Sequence, residues 1–167
     1  FLYSAQDQFE TLAVGETATD TFVYVVADEA GASSRGTATV VVSGANDVPV
    51  VLPSTGSVAD EDSSGQVTGN VLSTSSDVDA SDVLTVLSRS TTNTQGSVSA
   101  SAPGGVFSYT AAGKFDSLAV GETASDTFTF VVTDNNGGTA ENTATVVVRG
   151  DNDLPVVVDS FGTRVNE

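Results

Sequence analysis

The 167-residue sequence predicts an all-β chain built from tandem antiparallel β-sandwich repeats. Three observations carry that expectation: an internal repeat at one fixed offset, short apolar blocks that alternate with period two, and turn residues between those blocks. Phe9-Glu10-Thr11-Leu12-Ala13-Val14-Gly15-Glu16-Thr17 returns as Phe115-Asp116-Ser117-Leu118-Ala119-Val120-Gly121-Glu122-Thr123, an offset of 106 residues. The same offset relates Asp20 to Asp126, Phe22 to Phe128, Asp28 to Asp134, Thr39 to Thr145, Pro49 to Pro155 and Glu61 to Glu167, with no insertion. One sandwich of about 100 residues fits that period. The expected organisation is the C-terminal part of one repeat (1–47), a complete repeat (48–153) and the start of another (154–167). The two ends together lack counterparts of 62–106, so exchange between molecules would not rebuild a domain. A segment of a longer array is the simpler expectation.

Within the complete repeat the strands follow from alternation. Asp126–Val132 puts Phe128, Phe130 and Val132 on one face, and Thr143–Val148 does the same for Ala144, Val146 and Val148. Asn135-Asn136-Gly137-Gly138 between them is a hairpin signal, because such turns need positive φ. Val50–Leu52, Gln66–Leu72, Val83–Leu87, Gly96–Ala100 and Gly105–Tyr109 complete seven strands. No stretch shows sustained helical periodicity, although Phe115–Glu122 can hold a short turn. Seven short strands with turn signals between them read as an immunoglobulin- or cadherin-like sandwich. Strand Phe and Tyr residues take core-type positions, and Phe161 is left unplaced.

Composition narrows function. The net charge is −17, from 22 acidic against 5 basic residues without His. Such a chain has little with which to neutralise phosphates, which argues against nucleic acid and anionic membrane. It favours cations that relieve self-repulsion. Cysteine is absent, which excludes a disulfide framework and a thiolate metal site. Calcium is a common alternative staple outside cells. No apolar run approaches the roughly 18 residues of a membrane span.

Gly44-Ala45-Asn46-Asp47-Val48-Pro49 and Gly150-Asp151-Asn152-Asp153-Leu154-Pro155 mark the joints between repeats. Gly frees the backbone, Pro stiffens the start of the next repeat, and the Asn-Asp pair between them offers oxygen ligands. Strand counting places the loop Ser76–Asp82 and the loop opening at Asp134 beside the first joint. Asn46, Asp47, Asp77, Asp79, Asp82 and Asp134 then converge, five carboxylates and an amide. Calcium takes six to eight oxygens, and Asp-x-Asp aims two carboxylates at one point. The opposite pole gathers Glu61 and Asp62, with Glu122 and Asp126, facing Asp151, Asn152 and Asp153. The Asp77 loop is not an EF-hand, because Asp82 replaces the Gly at six and Ser88 the Glu at twelve. Glu16 and Glu122 follow Gly in a turn, and accepting backbone N–H bonds is as natural a role for them as metal.

The runs 118–134 and 144–155 resemble VCBS repeats, cadherin-like modules of very large bacterial surface and secreted adhesins. The resemblance spans the chain. Its Asp-rich loop matches Asp77, Asp79 and Asp82, its acidic opening Glu61-Asp62, and its Asn-Asp-x-Pro junction 46–49 and 152–155. It implies export to the surface of a Gram-negative cell, calcium at each joint, an extended rod, and a role in attachment or biofilm formation. The expected function is a calcium-rigidified spacer whose partners are its neighbouring repeats. Self-association and a cell-surface or glycan receptor are further candidates. Ala45 stands where the second linker has Asp151, which predicts fewer or weaker ions at the first joint.

Other functions have less support. A carbohydrate- or protein-binding module usually offers exposed aromatics, and Trp is absent. No enzyme is expected, since His and Cys are missing and Lys114 is the only Lys. An isopeptide bond from Lys114 is disfavoured by Gln8 at the equivalent position. Thr37, Thr39, Thr143 and Thr145 are too few for a flat ice-binding array.

Overall fold

The computed structural model describes residues 1–5, 7–62, 66–101, 103–111, 113–159 and 162. Phe161 and Glu167 lie outside that set. The described residues form strands joined by turns and irregular segments, with one short 3-10 turn at Val71–Thr74 and no α-helix. Among the described residues eleven strands occur in chain order. They are β1 (Thr17–Ala27), β2 (Ser33–Ser43), β3 (Val50–Val51), β4 (Ser54–Asp60), β5 (Val67–Asn70), β6 (Ser75–Ser76), β7 (Thr85–Ser90), β8 (Ser97–Ser101), β9 (Val106–Thr110), β10 (Thr123–Thr133) and β11 (Thr139–Arg149).

From residue 50 onward the strands form a two-layer sandwich. One sheet has the order β4-β11-β10-β7, and the facing sheet β5-β9-β8. Their inner faces meet in a core that includes Phe107 and Tyr109 from β9, Phe128, Phe130 and Val132 from β10, and Ala144, Val146 and Val148 from β11. Phe107 and Phe128 cross between the sheets edge to face, with ring centroids 4.9 Å apart. The alternation read from β10 and β11 is the inward face of these strands, because a period of two sends every second side chain to the core.

Several strands differ from the sequence expectation, among them the two-residue β6, which is absent from it. β4 has no counterpart in it: Ser54-Thr55-Gly56-Ser57-Val58-Ala59-Asp60 carries little apolar signal. It exists because Pro53 ends the β3–β6 pairing and the chain crosses to run parallel with β11. The strand expected over Gln66–Leu72 stops at Asn70, whose Oδ1 accepts from Leu72 N–H at 2.9 Å and caps the 3-10 turn. The Val83–Leu87 strand begins later and runs to Ser90, where it edges the larger sheet. The strand expected over Gly96–Ala100 starts at Ser97 and ends at Ser101.

β1 and β2 form a separate antiparallel hairpin. Its register, Thr17 opposite Ser43 through Ala27 opposite Ser33, is that of β10 and β11, Thr123 opposite Arg149 through Thr133 opposite Thr139. Every pair is offset by 106 residues. The parity is equal but the burial is not. Phe130 is 1% exposed, whereas Tyr24 at the equivalent position is 47% exposed. Among the described residues no second sheet covers this hairpin, so core-type parity alone does not bury a side chain.

Candidate metal centre

The site is built where the first linker leaves β2 and enters the sandwich. A Cβ on Gly44 would overlap the carbonyl oxygens of Leu12 and Ala13, and one on Gly150 those of Ala119 and Leu118. The glycine opening each linker therefore answers a close backbone approach, which corrects its reading as a source of freedom. Gly44 N–H donates to the Glu16 carbonyl at 2.9 Å and Gly150 N–H to that of Glu122 at 3.0 Å. The side chains of Glu16 and Glu122 accept from Ala13 and Ala119 N–H. These are the backbone roles.

Beyond Gly44 the linker is tied to two loops. Asn46 Nδ2 donates to Asp134 Oδ2 at 2.9 Å, and Asp47 N–H donates to Asp79 Oδ2 at 2.9 Å. Ala80 N–H reaches back to the Thr11 carbonyl at 3.2 Å, seating the loop on the segment that precedes β1. Gly138 makes room, since a Cβ there would strike the Asp134 carboxylate and come within 2.9 Å of the Asp47 carbonyl.

The loop's local geometry explains which acids turn inward. Asp77 Oδ1 accepts from Asp79 N–H at 3.1 Å, an Asx turn that leaves Val78 outside and Asp79 2% exposed. Asp82 N–H closes on the Asp79 carbonyl. Asp134 anchors the facing hairpin, its Oδ1 accepting from the N–H groups of Asn136, Gly137 and Gly138 at 2.7 to 3.0 Å. Carboxylate oxygens of Asp77, Asp82 and Asp134 lie within 4.8 Å of one another.

Four oxygens here are buried and, among the described residues, meet no donor: Asn46 Oδ1, Asp77 Oδ2, Asp79 Oδ1 and Asp82 Oδ2. Buried acceptors are normally satisfied, because stranding one costs about 1–3 kcal/mol. Three of them belong to one loop and the fourth to the linker bonded to it, and with Asp77 and Asp82 close to Asp134 the loop offers a donor set suited to a hard cation. Desolvation, with Asp79, Asp134 and Asp77 nearby, pushes the Asp82 carboxyl above the usual range despite the bond from Asn136. Burial also works against the Asp134 charge. The Asn46 amide and three backbone N–H groups outweigh it and hold that carboxyl below the usual range.

At the opposite pole Glu61 is 1% exposed. Its Oε1 accepts from Asp151 N–H at 2.7 Å, and its Oε2 is a fifth buried oxygen without a donor. Desolvation followed by the charges of Asp153, Asp116 and Asp151 raises the Asp62 carboxyl. Asp116 is a member of this group that sequence reasoning misses. Its signal is an acid after Phe in both copies, Glu10 and Asp116. Asn152 repeats the posture of Asn46, each Nδ2 donating to the following carbonyl.

Asp126 does not join that pole. It is 3% exposed and accepts from Gln95 N–H, Gly96 N–H, Thr127 N–H and the Tyr109 hydroxyl, so its capacity is spent inside the fold. The sequence holds the clue, because Tyr3 and Asp20 sit 106 residues before Tyr109 and Asp126 and share the same bond at 2.9 Å. Lys114 is exposed, not enclosed with a carboxylate. Asn136, whose Nδ2 donates to Asp82 Oδ1 at 2.7 Å, is a further part of the site absent from the sequence expectation.

These features define a β-sandwich module with a cluster of acids at either pole. Residues 46–150 match the bacterial cadherin-like domain family, and the chain belongs to it. Its fold is a structural one, of the kind found in surface proteins of the adhesin type. A search of curated proteins finds no match. No helix among the described residues is long and apolar enough to cross a membrane.

Proposed function

We propose that this chain is a spacer segment of a large extracellular bacterial adhesin of the VCBS type, stiffened by calcium at its joints. The observation that carries the reading is the set of four stranded oxygens on Asn46, Asp77, Asp79 and Asp82, contributed by the linker and by one loop of the sandwich that follows it. Asp134 and the Asp47 segment stand beside them. A cation there would satisfy the oxygens, cancel the mutual repulsion of the acids and tie the linker to the two loops. Calcium suits it, since every candidate ligand is oxygen and extracellular modules bind with Kd of about 10⁻⁴ to 10⁻³ M. Glu61, Asp62, Asp151, Asn152 and Asp153 would hold one side of the next joint, with the following repeat supplying the rest. The resulting rod would carry distal domains away from the cell in attachment or biofilm formation. Small-angle scattering of the chain in calcium and in chelator tests this. Calcium should narrow the distribution of dimensions, and identical profiles would sink the spacer mechanism.

A further inference from the structure

Asn136-Gly137 is the one Asn-Gly pair in the sequence, and it is exposed at the tip of the β10–β11 hairpin. In the β1–β2 hairpin the equivalent pair is Ala30-Gly31, and that turn shares the closing backbone bond and the glycine conformation, though Asn135 has a positive φ that Glu29 lacks. Asp28 N–H donates to the Ala32 carbonyl there, as Asp134 N–H does to Gly138 here, and both second glycines have positive φ. The turn therefore does not need an amide at 136. What the amide adds is the bond to Asp82.

Asn-Gly is chemically fragile. The glycine nitrogen, unhindered by a Cβ, attacks the Asn side-chain carbonyl carbon, and the amide nitrogen leaves as ammonia. Water then opens the resulting succinimide to Asp or isoaspartate. One water is consumed, one ammonia is released, and no oxidant is required. Two bonds oppose the attack here. Gly137 N–H donates to Asp134 Oδ1 at 2.9 Å, and this anionic acceptor holds the proton that must leave. Asn136 Nδ2 is bonded to Asp82, a contact that must break or stretch if the side chain is to rotate onto the Gly137 nitrogen.

We propose that Asn136 is a site of spontaneous deamidation held in check by Asp82 and Asp134, two carboxylates of the joint. While the joint is ordered the reaction is slow. Once its acids lose order the brake fails, and a donor to Asp82 becomes a fixed negative charge facing it. The isoaspartate product also inserts a methylene into the backbone that caps Asp134. The brake rests on the hydrogen bonds; the metal reading adds only that calcium should strengthen it.

The test is peptide mapping by mass spectrometry, with isoaspartate-specific methylation, on the whole chain incubated at mildly alkaline pH. Wild type is compared with Asp134→Asn and Asp82→Asn, and Asn136→Ala serves as the blank. Both Asp variants should deamidate at residue 136 several-fold faster, while amide exchange shows β10 and β11 still protected. If Asp134→Asn fails to fold, the half-buried Asp82 decides through its own variant. Folded variants that deamidate at the wild-type rate overturn the proposal, even where calcium raises the melting temperature and the metal reading survives. Accelerated variants in a chain whose melting ignores calcium uphold the proposal and remove the metal reading.

Discussion

Calcium should raise the melting temperature of this chain by an amount the joint itself bounds. Oxygens bound to one calcium at about 2.3–2.6 Å lie at most about 5 Å apart, and those of Asp77, Asp82 and Asp134 fall within 4.8 Å. The cluster is therefore sized for one shared ion, with Asn46 and Asp79 oxygens also lacking donors. With Kd between about 10⁻⁴ and 10⁻³ M, calcium at about 10 mM stabilises the folded state by roughly 1.4–2.7 kcal/mol. For a sandwich of this size that is a rise of roughly 6–20 °C. The assay is thermal melting by circular dichroism across a calcium titration, with magnesium as control. Asp77→Asn combined with Asp79→Asn should flatten the response. Because the substitution also removes two repelling charges, the doubly substituted chain in chelator should melt no lower than wild type in chelator. A wild-type curve indifferent to calcium, or an equal rise in the double variant, would refute the assignment of these oxygens to a cation.

The sandwich itself yields three more expected outcomes. Asp126→Ala strands a buried phenol and three backbone N–H groups, part of which water can re-satisfy, and should cost about 3 kcal/mol in denaturant unfolding; a loss under about 1 kcal/mol would show that the carboxylate is dispensable. Burial, and then the bond and charge of Asp126, raise the Tyr109 hydroxyl above its ordinary pKa. Its contribution to stability is therefore fully present below about pH 10, where the unfolded phenol is neutral, and is lost as pH climbs through the higher folded value. Tyr109→Phe should weaken that alkaline fall, which pH-dependent melting would read. Gly138→Ala should leave the core intact but abolish the calcium response, because the new Cβ meets Asp134 and the Asp47 carbonyl; an unchanged calcium midpoint would show that the linker is not seated there.

Strand alternation, the hairpin signal and the 106-residue offset are legible because each depends on local chemistry: period-two burial, positive φ at Asn135 and Gly137, and repeated residues at fixed spacing. That the linker at Asn46-Asp47 lies against the loops of Asp79 and Asp134 can be anticipated by counting strands, since strand number decides at which pole each loop emerges. Which oxygens remain without donors cannot, for that is settled by bonds between segments up to 88 residues apart, such as Asn46 to Asp134. Tertiary structure turns Asp126 inward, where backbone N–H groups and a buried phenol claim its carboxylate, and the repeated Tyr and Asp are the one trace of this in the sequence. It creates β4 from a weakly apolar segment by offering it the open edge of β11. It also decides that Phe128 is buried while Phe22, in an equivalent hairpin, is covered only in part. Sequence sets which face a side chain takes; only the packing of another layer against that face removes it from water.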